Sequence, residues 1–193
     1  TVVPPSKGAV MPKAQEQFIR KEYAKIDAYW RARGVGGVAA QPLITLGGDE
    51  THNCDGMKVT ANSQPFYCPK GGEVVVTESS VGSTAVRAIF ILSHEAGHEV
   101  QHLRGQMKGL DLDSETVGQA SEGSASCLAG AAMFAIHPEL VPGVWSVIVR
   151  TPDGPYGDAG DPKEAFDYGV YGGDHCPTVK EIMAQPTIFH TKS

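Results

Sequence analysis

A chain of 193 residues with 16 basic and 22 acidic side chains, net charge −6, suffices for one domain with a real core, burying roughly 70% of the surface its unfolded form exposes. It lacks the basic footprint of a nucleic-acid or anionic-membrane binder, and those partners are set aside. Its longest apolar runs, "LAGAAMFAI" (128–136) and "VPGVWSVIV" (141–149), fall short of the roughly 20 residues that span a bilayer.

The chain opens on "TVVPPSKG" without an initiator Met, as expected of a product trimmed of a targeting segment. Residues 1–13 read as an extended segment and 14–193 as a single domain. "AQEQFIRKEYAKIDAYWRARG" (14–34) puts Ile19, Tyr23, Ile26 and Trp30 at helical spacing, with Gly34 as the stop. Short β-like runs follow, "PLITL" (42–46), "PFYC" (65–68) and "EVVVTE" (73–78), divided by Gly, Asn and Asp turn signals. They predict a small sheet.

"STAVRAIFILSHEAGHEVQHLRG" (83–105) reads as one long helix, with Ser83 or Thr84 as N-cap and Gly105 as the stop. On a wheel of 100° per residue, Val86, Ile89, Phe90, Ser93, Gly97 and Val100 gather on one side, with His94 and His98 on its shoulder. "LDLDSETVGQ" reads as a loop into a second buried helix, "ASEGSASCLAGAAMFAI" (120–136), which two glycines weaken. "TPDGPYGDAGDP" is a loop. "DPKEAFDYG" opens a helix with Asp161 as N-cap, Pro162 at the first position and Glu164 placed for a capping box. "PTVKEIMA" (177–184) is a short final helix. The acidic loops "DLDSE" and "DGPYGDAGD" lack the spacing of an EF-hand.

Cys54, Cys68, Cys127 and Cys176 form neither a CxxC pair nor the close cluster of a structural zinc site. Disulfides are the leading reading, against four reduced core thiols. Cys54 with Cys68 is the most local pairing; closing a loop of that size contributes ~3 kcal/mol in the chain-entropy model. Such bonds persist outside the cytosol.

The chemistry lies in "HEAGH" (94–98). Residues four apart are neighbours on a helix surface, so His94 and His98 can present two imidazole nitrogens to one ion. Glu95 lies beside them, where a general base would take a proton from a zinc-activated water. His102 lies roughly 12 Å along the helix from His94 and cannot share that ion. Gln101 and Arg104 stand where the metzincin extension needs Gly and His, which excludes that class. A third ligand must come from Asp111, Asp113, Glu115 or Glu122. Glu122 is the best placed, a carboxylate near the start of a helix of small residues that can pack closely on the HEAGH helix.

"IDAYWRARG", "QPLITL", "PFYCPKGGEVVV", "ILSHEAGHEVQHLRG" and "ASEGSASCLAG" resemble, in order, the segments of the bacterial neutral zinc metallopeptidase family, over roughly residues 15–185. The resemblance implies an α+β, zincin-like fold, mainly helical with a small sheet ahead of the HExxH helix. In that family Glu-x-x-Ala-Asp-Cys follows on a second helix, which makes Glu122 the third zinc ligand and matches Ala125 and Cys127. Ser126 departs from the pattern by replacing the Asp that, in related zincins, orients a ligand histidine. The family's later cysteine implies a second disulfide, Cys127 with Cys176.

The resulting expectation is an extracytoplasmic, secreted or envelope-associated peptidase with one catalytic zinc on His94, His98 and Glu122, Glu95 as general base, and a peptide or protein substrate. Oxyanion stabilisation is assigned to the C-terminal "DYGVYGGDHCP", with His175 and Tyr171 ahead of Tyr168 as donors. Backbone groups of Val74 to Thr77 are candidates for aligning an extended substrate. The competing expectation is a catalytically impaired zincin-like domain that binds peptides or a partner, motivated by Ser126.

Overall fold

The computed structural model describes residues 11–38, 43–81, 84–148, 161–173 and 175–191. The loop predicted at 151–162 therefore falls almost wholly outside the described residues, as do Ser83 and the N-terminal ten residues.

Helix α1 (Lys13–Arg31) forms on the predicted stripe: Ile19, Tyr23, Ile26 and Trp30 are all buried. The chain leaves it through Gly34 at φ 78°, a left-handed conformation that costs glycine little. Strands β1 (Leu43–Leu46), β4 (Phe66–Cys68) and β5 (Glu73–Thr77) build the expected small sheet in the order β1-β5-β4. β5 runs parallel to β1 and antiparallel to β4. Val74, Val75 and Val76 are each fully buried, because this middle strand is covered on both faces. Val74 and Val76 join α1 in the main core, while Val75 packs with Leu46, Cys54, Val59 and Cys68.

That central position corrects one expectation. Leu43 to Leu46 pair with Val74 to Thr77 along one side of β5, and Phe66 to Cys68 cover Glu73 to Val75 on the other. The strand is interior at Val74 and Val75, which leaves no free edge there for an extended substrate, while Val76 and Thr77 pair with β1 alone.

A second, two-stranded sheet was not expected. β2 (Thr51–Cys54) and β3 (Met57–Thr60) pair antiparallel, with Cys54 opposite Met57. The two residues between them, Asp55 and Gly56, both have positive φ, 54° and 98°. That geometry is a tight turn matched to strand twist, for which Asp-Gly is a favoured dipeptide.

After a single helical turn, α2 (Glu78–Val81), comes α3 (Ala85–Leu103), capped by Thr84, whose side chain accepts a hydrogen bond from the Arg87 amide at 3.3 Å. It is more buried than its predicted stripe: Ile91, Leu92, Glu95, Ala96 and Glu99 are covered too, and Val86 and Phe90 only in part. Sheet and α1 lie against one side and later helices against the other.

Helix α4 (Glu115–Ile136) begins five residues before the predicted position, after Ser114, so "ETVGQ" is helix and Glu122 lies two turns inside it. Its small residues set how close the neighbours come. An added Cβ at Gly97 of α3 would lie 2.9 Å from the Ala125 carbonyl oxygen of α4. Helix α5 (Val141–Ile148) and α6 (Pro162–Gly172) follow, the latter capped by Asp161 with Pro162 in its first turn. At the α4–α6 crossing a Cβ on Gly130 would meet the Phe166 carbonyl oxygen at 2.1 Å, and one on Gly169 the Cys127 oxygen at 1.9 Å. Gly130, one of the glycines that weaken α4 by propensity, is what allows its packing on α6. α7 (Val179–Ala184) carries a capping box, Thr178 with Glu181.

Both disulfides, Cys54–Cys68 and Cys127–Cys176, are present. Among the described residues no single helix is long and apolar enough to cross a membrane; α4 and residues 138–148 pass that test only as a pair bent by 119°. The α+β class, mainly helical with small sheets ahead of α3, agrees with the expectation from sequence.

Candidate metal centre

One turn of α3 separates His94 from His98, and their rings stand 4.9 Å apart at 87°. The close approach at Gly97 brings α4 alongside, and Glu122 spans the two imidazoles. Its Oε2 lies 2.9 Å from His94 Nε2 and its Oε1 3.3 Å from His98 Nε2. One donor atom from each of the three residues falls within 4.8 Å of the others. Asp111, Asp113 and Glu115, the other candidate ligands, are not in this group.

The opposite ring nitrogens are held from behind. Gln101 donates from its Nε2 to the Ser121 carbonyl at 2.7 Å, which turns its Oε1 toward His98 Nδ1 at 3.2 Å. The Ser121 hydroxyl donates to the same Oε1 at 2.8 Å and lies 3.3 Å from His98 Nδ1. With an amide oxygen facing it, Nδ1 of His98 is the donor, which leaves Nε2 with its lone pair whenever the ring is neutral. That is the tautomer a metal ligand needs. Ser126 Oγ stands 3.4 Å from His94 Nδ1, the same relation made with a single longer contact. Tyr67 of β4 stacks on His98 at 6.3 Å and Phe90 tilts against His94 at 6.0 Å. These walls fix the rings from the side.

Glu95 is 5% exposed and near enough to His94, His98 and Glu122 to feel their charge. Burial raises its carboxyl above the ordinary value; the two histidines oppose this and Glu122 adds to it. Burial works against a charged His98, but the Glu122 carboxylate and the hydrogen bonds outweigh it and push the imidazole up to about 9. Glu122 is held well below 4.5, because the same two imidazoles outweigh its own burial. Without an ion, a proton on His98 plays the part of the positive charge.

Two nitrogens and a carboxylate oxygen, converging from rigid helices with their far sides hydrogen-bonded, suit zinc in number and kind. The histidine side chains are 15% and 12% exposed and Glu122 is 32% exposed, so the group opens to solvent on the Glu122 side. A fourth position facing water is what separates a catalytic site from a closed structural one.

The expected C-terminal donors are not among the three grouped residues. Tyr171 is 80% exposed and lines a surface groove with Lys163, Asp167, Tyr168 and His190. Tyr168 packs edge-on against Phe189 at 5.6 Å. His175 is exposed, one residue before the cysteine that ties this segment to α4. Glu95 joins the two histidines and Glu122, whereas Tyr171 and His175 make no hydrogen bond, ion pair or ring contact with that group among the described residues. Gln101, Ser121 and Tyr67 were missed from sequence. Gln101 alone had a signal, its place three residues after His98 on the same helix face.

Comparison of the chain with family models, with curated proteins and with solved structures finds no match.

Proposed function

We propose that this chain is a zinc-dependent peptidase of zincin type acting outside the cytoplasm on peptide or protein substrates. The observation that carries the reading is the convergence of His94 Nε2, His98 Nε2 and the Glu122 carboxylate beside a buried Glu95. The resemblance of the sequence to the neutral zinc metallopeptidases supports it, and the two disulfides are consistent with the location.

Bound by these three residues, zinc would supply Lewis acidity to a scissile carbonyl and to the attacking water. The rest is the work of the chain. Glu95 accepts the proton of that water and returns it to the leaving amine; a carboxyl raised by burial holds a proton in transit better than one at its ordinary value. Gln101, Ser121 and Ser126 keep the Nδ1 protons of the two histidines in place, so the Nε2 lone pairs stay turned inward. Glu122 contributes negative charge, which offsets that of a divalent ion. Tyr171 and His175 remain the proposed oxyanion donors.

A second reading keeps the ion and drops the reaction: a peptide-binding domain with impaired catalysis. One observation favours it, the neutral Ser126 at 3.4 Å from His94 Nδ1. Both readings are tested by dialysing the protein against a chelator and assaying hydrolysis of a fluorogenic peptide library before and after zinc is restored. Cleavage that vanishes and returns with zinc supports the peptidase. Peptide binding without cleavage in the zinc-loaded protein would replace it with the second reading.

A further inference from the structure

A second constellation of metal-binding side chains lies on the sheet, away from α3. The His52, Cys68 and Glu73 donor atoms fall within 4.8 Å of one another. His52 Nε2 meets Glu73 Oε2 at 2.7 Å. Cys68 faces Glu73 across the β4–β5 ladder and is bonded to Cys54. Cys54 lies two residues from His52 on β2, and alternation along a strand puts both on one face. Four residues from three strands thus meet at one point.

We propose that the Cys54–Cys68 disulfide masks a second metal site, and that two-electron reduction by a dithiol converts these four residues into a Cys2HisGlu site for zinc or a similar ion. In the step the dithiol gives up two electrons and two protons and becomes a disulfide, while the Cys54–Cys68 bond opens to two thiols. Each thiol then loses its proton to solvent as it binds the ion. The donor set of two thiolates, an imidazole and a carboxylate is one that zinc accepts in tetrahedral geometry.

Distances favour this. Metal–ligand bonds of roughly 2.0–2.3 Å put tetrahedral ligands about 3.3–3.8 Å apart. Of the three donors, all within 4.8 Å of one another, the His52–Glu73 pair at 2.7 Å must open by about half an ångström and the Cys68 sulfur must close by at most about an ångström. The two sulfurs need only separate from bonding distance to about 3.7 Å, a side-chain rotation for residues whose Cα atoms are 5.3 Å apart. The sulfurs are buried, but the His52 and Glu73 side chains are 24% and 25% exposed, so an ion enters from their side. The cross-link that joins β2 to β4 would persist in either redox state, first as a disulfide and then as a metal clip.

The peptidase reading plays no part in this, and the two fail separately. The site on α3 has no sulfur, whereas thiolate ligands give cobalt(II) an intense near-ultraviolet charge-transfer band. The experiment is a cobalt titration of the oxidised protein and of protein reduced with a phosphine. Only the reduced form should develop the band, with one further cobalt per chain. His52→Ala and Glu73→Gln should each weaken that affinity tenfold or more, and Cys54→Ala with Cys68→Ala should abolish it. The proposal is overturned if reduced, folded protein shows no thiolate band. It is equally overturned if the band survives the double cysteine variant, which would assign it to Cys127 and Cys176, or if it is indifferent to His52 and Glu73. Should reduction alone unfold the chain, cobalt or zinc must restore its circular dichroism, and failure to do so rejects the site.

Discussion

At the scale of residues, the two histidines depend on partners that are not themselves ligands. Gln101 sits between the Ser121 carbonyl and His98 Nδ1 with its amide orientation fixed at both ends. Outer partners of this kind are worth about 10- to 100-fold in metal affinity. Gln101→Ala and Ser121→Ala are therefore expected to weaken zinc binding by about tenfold or more, as read by competition with a chromophoric chelator. Wild-type affinity in both would remove the role assigned to them. Ser126→Asp places a charge behind His94 and is expected to tighten zinc by roughly tenfold. The HEAGH spacing was readable in the sequence because both histidines and Glu95 lie within one turn. The support for His98 was not, because Ser121 is 20 residues from Gln101 and meets it only once α3 and α4 pack.

At the scale of elements, the site is a consequence of one helix crossing. Gly97 lets α3 and α4 approach until Glu122 reaches both imidazoles. An alanine there must push its Cβ against backbone of Ala125, oxygen at 2.9 Å and Cα at 3.1 Å. Gly97→Ala should destabilise the fold by ~1–3 kcal/mol and weaken zinc more than thermal stability alone explains, since the ligands move apart. Denaturant melts with a zinc titration check both; an unchanged affinity would separate the crossing from the site. Gly169→Ala meets backbone at 1.9 Å and should not give a folded protein. The α1 stripe was legible because its burial repeats at helical period, and the valine strand because a short β-branched run between turn signals suits a strand buried on both faces. Two features were not. "THNC" of β2 has no apolar alternation, so only its Asp-Gly turn could have revealed the hairpin, and the polar first turns of α4 hide a helix whose burial starts later.

At the scale of the molecule, protons would compete with a metal ion for the group formed by His94, His98 and Glu122. In the metal-free protein His98 is raised from 6.5 to about 9, so the folded state binds its proton more tightly than the unfolded chain does. The stabilisation is complete below pH 6.5 and is lost as pH rises through about 9. Glu122 is shifted the other way from 4.5, and its contribution is present above that value and lost as pH falls through its lower folded value. The Tm of the metal-free protein should therefore fall from pH 6.5 to 9, and Glu122→Gln should flatten that slope. A slope unaltered by the substitution would mean that other groups govern it. Free zinc a thousandfold above its Kd adds ~4 kcal/mol, which for a chain of this size raises Tm by roughly 10 °C.

The central claim is that Glu95 works as a base beside a metal held by His94, His98 and Glu122. Its most direct test is mass-spectrometric mapping of cleavage products from a diverse peptide mixture, with wild-type protein and Glu95→Gln each shown to carry about one zinc. Cleavage by the wild type and none by the variant, at equal zinc content, is the predicted result. Equal cleavage by both would contradict the role of Glu95, and cleavage by neither would leave a metal site without the reaction proposed for it.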